Sequence, residues 1–460
     1  MKVLRLSLST LLVILAVNVG SAQDFALGGA LVTPDKVIPH AWLVIKGGQI
    51  DSIATQKPQN RTLRIVETEG IIFPGFVDLH NHPMYNAFAR WRPAGRFRNR
   101  YEWRDLQQYK DLVGTPGGEL QLKDDQTFCD LDEYAEVRAL IGGTTSISGI
   151  SGRRNVNPPV PNCLTGLVRN LDWASGFYGP TTGAERVRNA LGVTPRDMRP
   201  ADAAQFASDI QNQKIDLLLI HVAEGAPLDM ESTTEFLALK GWNLLTKHTA
   251  IIHGTAFSGD DFAQMKDAGA ALVWSPRSNI ELYGVTTDVA TAQKQGVTIA
   301  LAPDWSPTGS TNMLAEISYA SRLSQENLAG LLSDQRLFEM ATIIPARIAS
   351  LDRKIGSLQP GLYADLFVLR GDAARPFTAL AHANPADIQL VLIGGIAAYG
   401  THSLMQQFAV TSETVDVCGS PMELNSAALP AGRFGDVTKR LSADFQKYKL
   451  GLAPLADCAP

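Results

Sequence analysis

Between residues 75 and 302 the chain keeps returning to one texture, in which a short continuous apolar run is followed by an amphipathic stretch. The clearest runs are Gly75–Leu79, Thr144–Ile147, Leu217–Val222, Ala250–His253, Ala271–Trp274 and Val297–Ala302. Runs this short without polar alternation suit strands covered on both faces, the situation of a parallel sheet flanked by helices. Amphipathic spacing predicts helices near 130–141, 232–245, 259–268 and 312–331. The third and fourth strands of such a series belong in 164–215, where only Leu164–Leu171 has a suitable composition and the strand count is lost. Residues 25–73 read instead as short strands, with a hairpin in which Ala41–Ile45 and Gln49–Ile53 flank Lys46-Gly47-Gly48. Strand texture returns from about 350, in Ala364–Leu369 and in Ile388–Ile393 before Gly394-Gly395. The pattern predicts a central α/β barrel over 74–349, a small composite β-sandwich from 23–73 and 350–402, and an extension over 403–460.

The 460 residues are 45% hydrophobic and 19% charged, which excludes a disordered or fibrous chain. A formal charge of −5 without a long basic block argues against nucleic acid as a partner. Lys2 and Arg5 precede the largely apolar Leu6–Val19, and Gly20-Ser21-Ala22 puts small residues at the −3 and −1 positions. Residues 1–22 are therefore expected to be a signal peptide cleaved after Ala22, giving an exported protein, periplasmic or secreted. No later stretch is apolar enough to span a bilayer, so no stable membrane insertion is expected once the signal is removed. The four cysteines permit three connectivities, and the local pairs Cys129–Cys163 and Cys418–Cys458 are expected in an oxidising compartment.

Histidine placement carries the chemistry. Of eight histidines, His80, His82, His221 and His253 fall at the C-terminal ends of apolar runs, the active-site face of a parallel α/β barrel. His80 and His82 are two apart at a strand end and so share a face, a pairing that suits a metal taking neutral nitrogen ligands. Asp304 follows the last run and can add a carboxylate, as a ligand or as a partner of the activated water, while Glu224 stands at the rim where a proton shuttle belongs. Taken singly, a strand-end histidine is more often a hydrogen-bonded core residue, and such an aspartate a helix cap. It is the recurrence of these residues after successive runs that points to a metal centre.

In Phe73-Pro74-Gly75-Phe76-Val77-Asp78-Leu79-His80-Asn81-His82, Gly142-Gly143-Thr144-Thr145, Ile220–Glu224, Ile252-His253-Gly254 and Ala302-Pro303-Asp304, the chain resembles the amidohydrolase superfamily of metal-dependent hydrolases. Pro276-Arg277-Ser278-Asn279 with Leu282 and Gly284 is similar to its deaminase and chlorohydrolase branch, and Gly356–Leu369 to that family's return into a β-sandwich. The resemblance implies a TIM-like (β/α)8 barrel. It implies His80, His82, His221 and Asp304 as ligands of one divalent ion, Zn²⁺ first, with Fe²⁺ and Mn²⁺ as alternatives. It further implies Asp304 as general base, Glu224 as proton shuttle to the leaving group, and His253 as the residue that polarises the substrate or hydrogen-bonds the attacking water. Two-metal members need a carboxylated lysine on a middle strand; no lysine lies between Lys123 and Lys214, which favours one ion.

The expected activity is hydrolysis of a non-peptide carbon–nitrogen bond in a small molecule by metal-activated water, with deamination of a small cyclic compound first. Hydrolysis of a cyclic or linear amide is the alternative, and a non-catalytic binding protein on the same fold is the rival class. The oligomeric state stays open, a homo-oligomer included. The loop after His82 bears Arg90, Arg92, Arg96, Arg98, Arg100 and Arg104 with Trp91, Tyr101 and Trp103, and reads equally as a substrate-binding wall or as an ion-paired lid. Trp305 reads as facing the substrate or as bracing the barrel top, and Ser278 and Asn279 as structural turn residues.

Overall fold

The computed structural model describes residues 24–149, 163, 167–172, 186–194 and 196–458. The expected signal segment lies outside the described residues, as do 164–166 of the weak third run.

The N-terminal strands are β1 (Phe25–Val32), β2 (Val37–Lys46), β3 (Gln49–Ala54) and β4 (Arg64–Pro74). The expected hairpin is β2–β3, with Lys46 opposite Gln49. Gly47 and Gly48 take φ of +54° and +82°, the left-handed pair that a two-residue hairpin loop requires. Next come β5 (Phe76–Asp78), β6 (Thr144–Ile147) and β7 (Arg169–Asn170), which form one parallel sheet in sequence order. A second parallel sheet holds β8 (Val187–Ala190), β9 (Leu217–Val222), β10 (Thr249–His253), β11 (Ala271–Trp274) and β12 (Ile299–Leu301), again in sequence order. Strands β6 and β9 to β12 are buried along their whole length, the burial their unalternating sequences require. The chain closes with β13 (Leu366–Leu369), β14 (Ile388–Ile393), β15 (Ile396–Gly400), β16 (Ser412–Val417) and β17 (Ser420–Asn425). These five join β1–β4 in a nine-stranded sheet ordered β16-β17-β15-β14-β13-β4-β1-β2-β3.

The two parallel sheets meet at the segments that follow β5 and β12. Asn81 and Asp304 form a parallel bridge: His82 N donates to Asp304 O and Asp304 N to His80 O, both at 3.1 Å. On the other side, Asn189 Nδ2 of β8 donates to Ser148 Oγ beyond β6 (2.9 Å) and to Asp172 Oδ1 beyond β7 (2.5 Å). The passage from β4 into β5 needs Gly75, because a Cβ there would lie 2.1 Å from Thr145 Oγ1.

The helix Asp125–Ile141 is capped by Asp124 and buried along nearly its whole length. The amphipathic helix Phe434–Gln446 packs against it, with Arg440 paired to Asp130 and Lys123 to Asp444, both at 2.7 Å. Cys129–Cys163 and Cys418–Cys458 are bonded in the expected local pairs. Among the described residues, no helix is long and apolar enough to cross a membrane.

Candidate metal centre and active site

Each strand that ends in a histidine delivers it to one point. His80 and His82 leave β5, His221 lies in β9, His253 ends β10 and Asp304 follows β12. His80 Nε2 lies 3.3 Å from His82 Nε2, 3.2 Å from His221 Nε2 and 3.3 Å from Asp304 Oδ1, and His82 Nε2 is 3.4 Å from the same oxygen. His253 joins the cluster, its ring centroid 4.9 Å from that of His80. His80, His221 and His253 form one group able to hold a metal ion, and His80, His82 and Asp304 another. Around a tetrahedral ion with metal–nitrogen bonds of about 2.1 Å, ligand atoms stand about 3.4 Å apart, the spacing at which His80, His82 and Asp304 stand from one another and His221 from His80.

The outer nitrogens explain why the inner ones face inward. His221 Nδ1 meets the carbonyl of Ala190 at 3.3 Å, and a carbonyl only accepts, so the ring proton sits on Nδ1 and the lone pair on Nε2. His80 Nδ1 is 2.9 Å from Ser275 Oγ, and His253 Nδ1 is 2.9 Å from Asn279 Oδ1. Burial, reinforced by the neighbouring His253, holds His80 and His221 well below the usual imidazole range and brings His82 down to about 4. The rings are therefore neutral at neutral pH, the form that donates to a metal. Burial pushes Asp304 well above the carboxylate range, Ser278 opposing and Glu224 adding to it. A pocket of converging lone pairs and a buried carboxylate lacks positive charge, and a divalent cation supplies it.

Asp78 sets the approach to these ligands. Its carboxylate accepts from His80 N (3.0 Å) and Asn81 Nδ2 (2.7 Å), Asn81 accepts from Asn86 Nδ2 (2.7 Å), and Asn86 accepts from Ser306 N (2.9 Å). One polar chain thus ties the segment after β5 to the segment after β12. Ala223, His253 and Asp304 all take left-handed φ, +56° to +69°, a conformation that costs roughly 1–3 kcal/mol for a non-glycine residue and gathers at functional sites.

Glu224 is buried at the edge of the cluster. Its Oε2 lies 3.7 Å from His253 Nε2, and its Oε1 accepts from Tyr283 Oη at 2.5 Å. Trp103 Nε1 in turn donates to Tyr283 Oη at 2.9 Å. An indole N–H can only donate, so the phenol proton points at Glu224 Oε1 and Oε2 is the oxygen left free to carry a proton. Tyr283→Phe is expected to cost about 1–3 kcal/mol of unfolding free energy in denaturant titration, because it strands both a buried carboxylate oxygen and an indole N–H.

Above the cluster lies a cavity of about 150 Å³, floored by His82, His221, His253, Glu224 and Asp304 and walled by Trp103, Tyr109, Trp305, Arg100 and Arg104. Trp305 lines the cavity and donates Nε1 to Thr308 Oγ1 of its own loop at 2.6 Å. Much of the arginine-rich loop is ion-paired: Arg98 with Glu102, and Arg100 and Arg104 with Asp197. The larger cleft, about 670 Å³ between Lys247, Arg347 and Thr298, lies at the opposite strand ends and contains none of these residues.

Ser278 and Asn279 are not turn residues. They belong to the helix Pro276–Tyr283, where Asn279 orients His253 and Ser278 meets Thr308 Oγ1 at 2.9 Å. Proline at the first position of that helix, otherwise read as a turn signal, starts it instead. Tyr283 and Ser275 escaped sequence reading, since one tyrosine or serine carries no periodic signal.

The sequence model of the Amidohydrolase family matches residues 216–397. The chain is 24% identical over 380 residues to a 5-methylthioadenosine/S-adenosylhomocysteine deaminase of Teredinibacter turnerae, covering 75% of this chain and 84% of that one. It is likewise 24% identical to an 8-oxoguanine deaminase of Pseudomonas aeruginosa, covering 80% and 91%. A crystal structure of an adenosine deaminase from Xanthomonas campestris with bound zinc superposes with a TM-score of 0.69 at 15% identity, covering 93% of this chain and 99% of that one. The ordered motifs, the family model and the deaminase relatives support the resemblance to the amidohydrolase superfamily, in its deaminase- and chlorohydrolase-like branch.

Proposed function

We propose that this chain is an exported aminohydrolase with one divalent ion, Zn²⁺, that releases ammonia from a carbon–nitrogen bond of a small cyclic compound. The observation that carries the reading is the gathering of His82, His221 and Asp304 around His80, whose Nε2 lies within 3.3 Å of a donor atom of each. His80, His82, His221 and Asp304 would hold the ion. When bound, it supplies Lewis-acid charge and brings the ionisation of water toward pH 7. Asp304 takes the proton from the attacking water, Glu224 carries it on Oε2 to the leaving nitrogen, and His253, with Nδ1 fixed on Asn279, turns Nε2 to the reacting centre. The rings of Trp103, Tyr109 and Trp305, tilted or edge-on to one another, offer a planar substrate an apolar face. The deaminase relatives favour this chemistry over amide hydrolysis.

The same reading takes β5–β12 as eight consecutive strands of one TIM-like barrel over 74–349, closed between Asn81 and Asp304. It takes the nine-stranded sheet as the core of the composite domain. Sequence-ordered parallel neighbours are what a closed barrel needs, whereas a doubly wound sheet reverses its order.

Metal analysis by mass spectrometry on protein purified without added metal or chelator is the direct test. About one Zn²⁺ per chain is expected, lost in His80→Ala/His82→Ala. Two ions per chain, or none after zinc is restored, would remove the single-ion centre. A panel of cyclic amidines and amides then separates ammonia release from amide opening. Export rests on the N-terminal pattern and the two disulfides. N-terminal sequencing of the mature protein is expected to begin at Gln23, and a retained Met1 counts against it.

A further inference from the structure

The stretch Asp304–Ser310 carries the carboxylate of the centre on a constrained backbone. Asp304 has φ +67°, and a Cβ on Gly309 would lie 2.0 Å from Pro303 O. Such a segment persists only where its surroundings over-determine it. Three arginines from three parts of the chain do so. Arg90 Nη2 donates to Gly309 O at 2.7 Å, Arg138 Nη1 to Ser306 Oγ at 2.6 Å, and Arg277 Nη1 to Ser310 Oγ at 3.5 Å.

Three guanidiniums gathered on seven residues repel one another. Burial, with Arg277 adding to it, holds Arg90 below its usual value, and burial with Arg90 adding brings Arg138 down to about 10. Asp457 opposes the repulsion at both, beside Glu281 at Arg90 (3.9 Å) and Tyr134 at Arg138. Its Oδ2 lies 3.6 Å from Arg277 Nη1 and 4.0 Å from Arg90 Nη2, and is buried without a hydrogen bond. The segment bearing Asp457 is fastened to the body by Ala453 N donating to Ala87 O (2.9 Å), by Asn384 Nδ2 donating to Cys458 O (3.1 Å) and by the Cys418–Cys458 disulfide.

We infer that Asp457 is a positioning residue for the loop of Asp304: a disulfide-fastened strap, 452–458, adds to the charges of Glu281 and Glu316 a carboxylate that faces both Arg90 and Arg277 and so helps Arg90, Arg138 and Arg277 grip that loop together. The assignment of Asp304 as the working carboxylate rests on the function proposed above; the grip itself does not.

Hydrogen exchange read by mass spectrometry over residues 300–312 tests it, on metal-free protein. The variants are Asp457→Asn, Asp457→Glu and Cys418→Ser/Cys458→Ser, with Asp372→Asn as a control, a surface acid paired with Arg375. The amides of Gly309 and Ser310 donate within the loop, to Trp305 O and Pro303 O. They are expected to exchange about tenfold faster in Asp457→Asn and in the cysteine variant, and unchanged in the control. Asp457→Glu should restore protection, since one more methylene spans the 3.6–4.0 Å gap. Zinc affinity, by competition with a chromophoric chelator, should fall about three- to tenfold in the same two variants. Unchanged exchange in a folded Asp457→Asn protein overturns the inference, and that variant decides the matter even where the cysteine variant does not fold. Wild-type protein that binds no zinc counts against the proposed function alone, because the exchange result is read without metal.

Discussion

Asp304→Asn is expected to lower kcat by about 10⁴-fold or more on a substrate that yields ammonia, with the fold intact. Asparagine tolerates the left-handed backbone that residue 304 adopts at φ +67°, so its main-chain hydrogen bonds with His80 and His82 survive. What disappears is charge and basicity. An amide can neither take a proton from water nor offer a carboxylate oxygen at the position 3.3–3.4 Å from two imidazoles. Circular dichroism should be unchanged, while single-turnover measurements on zinc-reconstituted protein register the loss. Activity within tenfold of wild type would mean that another group takes the proton.

Glu224→Gln separates proton transfer from metal binding. Glutamine keeps an acceptor for Tyr283 and a polar atom beside His253, so the packing around residue 224 is retained. The variant loses only the capacity to carry a proton, and a fall in kcat of about 10²–10⁴-fold is expected with metal content unchanged. Substrates whose leaving group needs no protonation should be the least affected, and one limb of the pH–rate profile should disappear. A variant that loses zinc in parallel with activity would place Glu224 among the ligands instead.

Most of the strands were legible because they are buried on both faces, and such strands leave no polar alternation. β6, β9 and β11 span the same residues as their apolar runs, and the site residues stand where those runs end. β8 was not legible, and β7 only as part of the run Leu164–Leu171. β7 is only Arg169–Asn170, and β8 reads Val-Arg-Asn-Ala because Asn189 joins a polar network with Ser148 and Asp172. The helix Asp125–Ile141 was foreseen only from 130 onward. Its first turn is a capped polar stretch, and its outer face, acidic at Asp130, is covered by the helix Phe434–Gln446, which had no reading of its own. That His80, His82, His221, His253 and Asp304 come together was legible from motif order. The groups that orient these side chains were not, because Ser275, Asn279 and Tyr283 act through single contacts across the fold.

The two disulfides have a bearing on how the chain is made. Each joins cysteines that are neighbours in the order of synthesis, 34 and 40 residues apart, and the two loops do not overlap. As a chain emerges from its N-terminus, Cys163 meets Cys129 long before Cys418 exists, and Cys458 then finds Cys418 as the thiol still unpaired. Of the three connectivities four cysteines allow, this is the one that oxidation in order of appearance produces unaided. The chain can thus acquire both cross-links vectorially, without a step in which a wrong bridge must be exchanged for the right one.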